Sequence, residues 1–182
     1  MMRSRILLST TILAAWALAA PVQAAEPLKV GFMTVRSGAL AAGGRQMEEG
    51  LKMCMDEHKG EMAGRKIEII TADTAGQPAG TKTKAQELVE RDQVDVILGP
   101  LAAFELYAIN DYVIQHKTPV LSLAAADDLT QRKPNPFLLR ASATSSQAMH
   151  PMGHYAATEL KLKRLVTIVQ DFAFGYEQMG RF

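Results

Sequence analysis

The chain has 182 residues, with 20 Lys and Arg against 19 Asp and Glu, a formal charge of +1. So even a balance leaves no basic stripe to follow a polyphosphate backbone, which excludes nucleic acid as a partner. Cys54 is the only cysteine, so no intramolecular disulfide can form and an apolar core must supply the stability.

The first five residues carry Arg3 and Arg5, and the apolar run 6–20 that follows contains Ser9, Thr10 and Thr11. A membrane span wants roughly 20 apolar residues. A basic start, a short apolar middle and small residues at Val22 and Ala24 predict a cleaved secretory signal over residues 1–24, cut after Ala24. Its removal takes away Arg3 and Arg5 and no acid, so the formal charge falls from +1 to −1. Cys54 lies far from the cut and offers no acceptor for a lipid. Free diffusion in the periplasm of a two-membraned bacterium is therefore expected.

Beyond the signal, residues 28–35 predict a buried strand and residues 37–44 a loop of small residues. Met47, Leu51, Cys54 and Met55 then share one face of a helix over 45–58. Residues 66–72 predict a strand and 73–77 a loop, and Pro78 suits the first turn of a helix reaching 91, with Ala85, Leu88 and Val89 facing inward. A strand over 94–99, a helix over 103–116 and a strand over 119–123 continue the alternation. After the Pro-containing break 133–136 come a short extended piece at 137–140 and a small, polar crossover at 141–147. A helix over 148–160, a strand over 164–169 and a helix from 175 to 182 complete the chain. This order predicts an α/β fold, a doubly wound parallel sheet with right-handed crossovers. The strands are close to continuously apolar, as burial on both faces requires.

Three chemistries fail on their residues. Gly38 and Gly43 have the spacing of a phosphate-cradling loop, but Gly44-Arg45 stands where Lys and Ser or Thr are needed, and no Gly-x-Gly-x-x-Gly occurs. His150 and His154 could share a helix face, yet neither a zinc hydrolase's glutamate nor a third ligand accompanies them. Ser122 lacks the Gly-x-Ser-x-Gly elbow. No cofactor, no metal and no catalytic residue are expected, and the protein is not expected to be an enzyme. A crevice is expected instead at the carboxyl ends of the strands, among the loops 36–44, 100–104 and 124–129. Two of these run into helices, whose first amides are unpaired and attract a carboxylate.

The order of several short motifs resembles the leucine/isoleucine/valine-binding family of periplasmic receptors for ATP-driven importers. These motifs are Val30-Gly31-Phe32 leading to Ser37-Gly38, Asp95-Val96-Ile97-Leu98-Gly99-Pro100, Pro119-Val120-Leu121-Ser122 and Leu129-Thr130-Gln131-Arg132. Arg140 before Ser145-Ser146-Gln147, and Asp171 with Phe174-Gly175-Tyr176, follow in the same order. The resemblance implies two lobes that close on a solute: residues 25–143 as a first lobe lacking its return segment, and 144–182 as the hinge crossover and the incomplete start of a second. Such proteins are about twice this length, so a truncated chain that binds nothing is one expectation, and a ligand-sensing domain of the same fold is another.

The resemblance also implies site positions. The family's first-loop aromatic matches Gly43, its hydroxyls after Gly-Pro and after the fourth strand match Ala103 and Ala126, a backbone contact matches Ala124, and a covering aromatic matches Phe174. Each hydrogen bond lost with a hydroxyl is worth about 1 kcal/mol. The expected ligand is thus a branched-chain amino acid or, better suited, a larger apolar or aromatic carboxylate gripped by main chain at Leu101, Ala102, Ala103 and Phe104 and at Ala124, Ala125 and Ala126. The implied partners are that solute and a permease complex of the inner membrane, and a monomer is expected.

Overall fold

A computed structural model describes residues 25–182; residues 1–24, expected to be a signal, lie outside the described residues. In chain order the elements are β1 (Leu28–Thr34), α1 (Ala41–Glu57), β2 (Glu61–Met62), β3 (Arg65–Asp73), α2 (Pro78–Gln86) and β4 (Val96–Leu98). They are followed by α3 (Ala103–Gln115), β5 (Val120–Ser122), β6 (Leu138–Arg140), α4 (Met149–Thr158) and α5 (Ala173–Met179). The strands form one sheet in the order β2-β3-β1-β4-β5-β6. Every neighbouring pair is parallel except β2 with β3.

The chain enters at β1 in the middle of the sheet, moves outward to β3, then jumps back across β1 to β4 and continues to the other edge. With right-handed crossovers, this reversal places α1 on one face and α2 and α3 on the other. The core lies under α2 and α3, where Met33, Ala85, Leu88, Ile97, Leu106, Ile109 and Val113 are buried together. Among the described residues no helix is long and apolar enough to cross a membrane.

Four details depart from the expectations. The region expected as a loop up to residue 44 is already helical from Ala41. A Cβ on Gly44 would stand 1.8 Å from the Val35 carbonyl oxygen. The glycine therefore serves close packing of α1 against the end of β1, and the Gly44 carbonyl accepts a hydrogen bond from Thr34 Oγ1 at 3.1 Å. Next, residues 61–65, to which the sequence assigned no element, form a hairpin that turns through Ala63 and Gly64, both with positive φ. That turn needs left-handed backbone twice, a conformation alanine rarely adopts. The helix expected to reach 91 passes into a π-helical turn at Glu87–Arg91.

The fourth difference corrects the strand expected over 164–169. Residues 161–170 form no strand among the described residues and are exposed throughout. The segment has the right composition, but no neighbouring strand supplies its backbone with hydrogen-bond partners, and pairing rather than composition makes a strand.

Candidate functional site

Because β1, β4, β5 and β6 are parallel, their carboxyl ends share one edge, and the loops after β1, β4 and β5 all emerge there. These are the loops expected to form the crevice. The chain's change of direction falls between β1 and β4 and separates the first two loops, the position at which such sheets generally take ligands.

The loops are tied together by side chains. Ser122, at the end of β5, is buried; its hydroxyl donates to the Pro100 carbonyl at 2.8 Å and accepts the Ala124 amide at 3.0 Å. Residues 140–146 wrap the loop after β5 from outside. Arg140 Nη1 donates to the Ala126 carbonyl at 2.9 Å, Ser142 Oγ to the Leu123 carbonyl at 2.8 Å and Ser145 Oγ to the Ala125 carbonyl at 2.6 Å. Burial of this guanidinium pulls its affinity for the proton below the ordinary arginine value.

Glu105 is the residue that motif reading passed over. Although acidic, it is fully buried. Its Oε2 accepts the Ala102 amide at 3.0 Å, while Oε1 meets the hydroxyls of Thr74 and, at 3.3 Å, Thr81. Thr74 in turn reaches the Thr34 carbonyl at 3.2 Å, so one carboxyl group connects the ends of β1 and β3 to the start of α3. Ala102 has no side-chain acceptor, and the helix start is capped only from the Glu105 side. An acidic residue three positions into the helix was the available signal, hidden because the preceding cap position holds alanine rather than Ser or Thr.

Of the nine expected site residues Ala125 is half-buried, and the other eight fall into three groups. Gly43 and Leu101 touch: the Cβ that Gly43 lacks would lie 2.9 Å from Leu101 Cδ2, so the leucine fills the space a larger residue at 43 would take. Ala103, Ala124 and Ala126 turn their methyls into the core, and Ala102 is also buried. None of these four alanines therefore offers a side chain to the edge. The Ala102 and Ala124 amides are already committed, to Glu105 and Ser122. Those of Ala103, Phe104, Ala125 and Ala126 have no acceptor among the described residues.

Phe104 and Phe174, 70 positions apart in the sequence, come together through Phe172. The Phe172 ring meets Phe104 edge-on, with centroids 5.5 Å apart, and lies roughly parallel to Phe174 at 6.4 Å. No motif singles out Phe172, whose contact with Phe104 exists only because the chain folds back after residue 170. None of the nine residues lines either of two surface depressions among the described residues, one beside Asp127, Arg132, Glu177 and Arg181 and one between α2 and α3 around Glu90, Tyr107 and His116. His150 and His154 are both exposed on α4.

Comparison with known proteins agrees with this architecture. The chain is 27% identical over 176 residues to Leu/Ile/Val-binding protein homolog 6 of Brucella abortus, covering 96% of this chain and 45% of that protein. It superposes, with a TM-score of 0.79 and 31% identity, on an ABC-transporter solute binding protein of Rhodopseudomonas palustris in complex with 3,4-dihydroxy benzoic acid, covering 85% of this chain and 42% of that one. The isoleucine complex of the branched-chain amino acid transporter substrate binding protein LivJ from Streptococcus pneumoniae gives a TM-score of 0.67 at 25% identity, covering 74% and 39%. The chain thus spans less than half the length of these relatives. The sequence profile described as periplasmic binding protein matches residues 27–181. With that match over nearly all the described residues, and a parallel sheet whose loops gather at one edge, the chain belongs to the periplasmic binding protein family, in its leucine/isoleucine/valine-binding branch.

Proposed function

We propose that this chain belongs to the solute-binding component of an ABC importer and that its sheet edge takes the acid group of a small aromatic carboxylate. The observation that carries the reading is the pairing of two features at that edge. Four main-chain amides, those of Ala103, Phe104, Ala125 and Ala126, have no acceptor among the described residues, and the Phe104 ring, on one of those four residues, meets Phe172 edge-on with Phe174 next to it. Amides at a helix start suit a carboxylate, and ring edges and faces suit an aromatic body.

In this reading residues 1–24 direct export to the periplasm, residues 25–143 belong to one lobe and residues 144–182 to the crossover and the second. The solute then closes the lobes and presents them to the permease. The relatives are solute-binding proteins, not enzymes, and the one bound to 3,4-dihydroxy benzoic acid is more similar to this chain than the one bound to isoleucine. The alanines at 103 and 126 support the same preference, since they bring no hydroxyls to an amino acid's charged ends.

Isothermal titration with benzoate, 3,4-dihydroxybenzoate and leucine tests it. Saturable heat is expected with the aromatic acids and none with leucine. Tight leucine binding without response to either aromatic acid would refute the reading.

A further inference from the structure

After the exposed segment, residues 171–182 return to the sheet edge, where the Glu177 side chain makes their polar contacts with α3 and the loop after β5. Glu177, on α5, accepts a hydrogen bond from Tyr107 Oη at 2.5 Å. Both of its carboxylate oxygens also lie 3.3 Å from the main-chain nitrogen of Asp127. Tyr107 belongs to α3 and Asp127 to the loop after β5, so one carboxylate joins three separate parts of the chain. Burial, then the hydrogen bond and charge of Glu177, push the Tyr107 phenol well above its ordinary range, and the hydroxyl stays a donor.

The partners of Glu177 are themselves held. Asp127 is buried, and its Oδ1 accepts the Ser146 amide at 3.3 Å, which restrains the loop from its other side. Phe172 provides an apolar contact alongside, edge-on to Phe104, which lies one turn of α3 before Tyr107. Polar and aromatic contacts thus join the same two helices.

We propose that Glu177 is a positioning residue, a latch that holds α5 against α3 and the loop after β5 and thereby sets where Phe172 and Phe174 stand over Phe104. The positioning role rests on the reading of this edge as the solute site; the latch does not. A charge-assisted hydrogen bond to a shielded hydroxyl is among the stronger polar contacts available to a protein. Its loss leaves both the Tyr107 hydroxyl and the Asp127 amide without their partner.

Hydrogen exchange on the solute-free chain and calorimetry with 3,4-dihydroxybenzoate test the two parts separately. In Glu177→Ala the amides of α5 and of Asp127 are expected to exchange about tenfold faster, while those of β1, β4 and α3 keep their protection. Glu177→Gln, which keeps an acceptor, should restore part of the protection. The double variant Tyr107→Phe with Glu177→Ala should exchange no faster than Glu177→Ala alone. Affinity for the acid should fall about tenfold in Glu177→Ala. Unchanged α5 exchange in Glu177→Ala, or multiplicative effects in the double variant, overturns the latch and leaves the solute reading standing. Faster exchange with unaltered affinity overturns the positioning role. A wild-type chain that binds no acid overturns that role together with the solute reading, while the latch is still judged on exchange.

Discussion

Residues 94–98, Val-Asp-Val-Ile-Leu, and residues 165–169, Leu-Val-Thr-Ile-Val, are close in β-branched and apolar content. The first run contains β4, flanked by β1 and β5, with Ile97 fully buried. The second makes no strand among the described residues and leaves Val166 90% and Ile168 94% exposed. β-propensity measures how well side chains fit a paired, partly buried surface, and only the first run has such a surface around it. The second is an apolar run with free backbone groups, the kind of segment that invites pairing with another chain.

The largest effect should come from removing a side chain on the paired side of this contrast, set against a change on the exposed side. Leu106→Ala, beneath the paired region, should cost about 2–5 kcal/mol by the loss of a fully buried side chain and the cavity it leaves. Ile168→Asp should change stability by no more than about 0.5 kcal/mol, because the isoleucine is already in water. Urea unfolding of both variants checks the pair. Equal losses would mean that residues 164–169 are packed in solution. Light scattering on Ile168→Asp should also show less self-association than wild type.

A smaller effect is expected at the buried carboxyl group joining β1, β3 and α3. Glu105→Ala removes the acceptor for the Ala102 amide and the two threonine hydroxyls and should cost about 2–3 kcal/mol. The same measurement on Glu177→Ala, in the region beyond the exposed run, should show less, since Glu177 is only half-buried. Reversal of that order would move the weight of stability from the sheet to the C-terminal segment.

The smallest effect concerns alkaline pH. Burial, and then the hydrogen bond and charge of Glu90, push the Tyr112 phenol up to about 12 from the ordinary 10.0. The folded state thus keeps this proton where the unfolded chain has released it. The resulting contribution to stability is whole below pH 10.0 and is lost as pH rises through about 12. Phenolate absorbance should show late titration from Tyr112 as well as Tyr107, the step near 12 should be lost in Tyr112→Phe, and this variant should lose stability less steeply across that window.

Much of the paired region was legible without coordinates. Alternating apolar runs and amphipathic stretches located β1, β3, β4, β5 and their helices to within a few residues, because sheet burial and helix periodicity write directly into local composition. The common edge of the loops followed, since parallel strands joined by helices must end on the same side. The contacts made at that edge did not follow. Ala102 concealed the cap supplied by Glu105, and the fusion of Phe104 with Phe172 and Phe174 depends on where the C-terminal residues fold back.

By itself the order of residues determined an α/β chain with parallel strands, three small-residue loops and an apolar core without a disulfide, because each follows from spacing within a few turns or strands. Tertiary structure alone decided that Gly44 is a packing glycine, that residues 164–169 stay unpaired, and that Glu105 and Glu177 each join three distant parts of the chain. Each of these outcomes depends on which groups meet across tens of residues, and hydrogen bonds and exclusion of water act on that proximity rather than on position in the sequence.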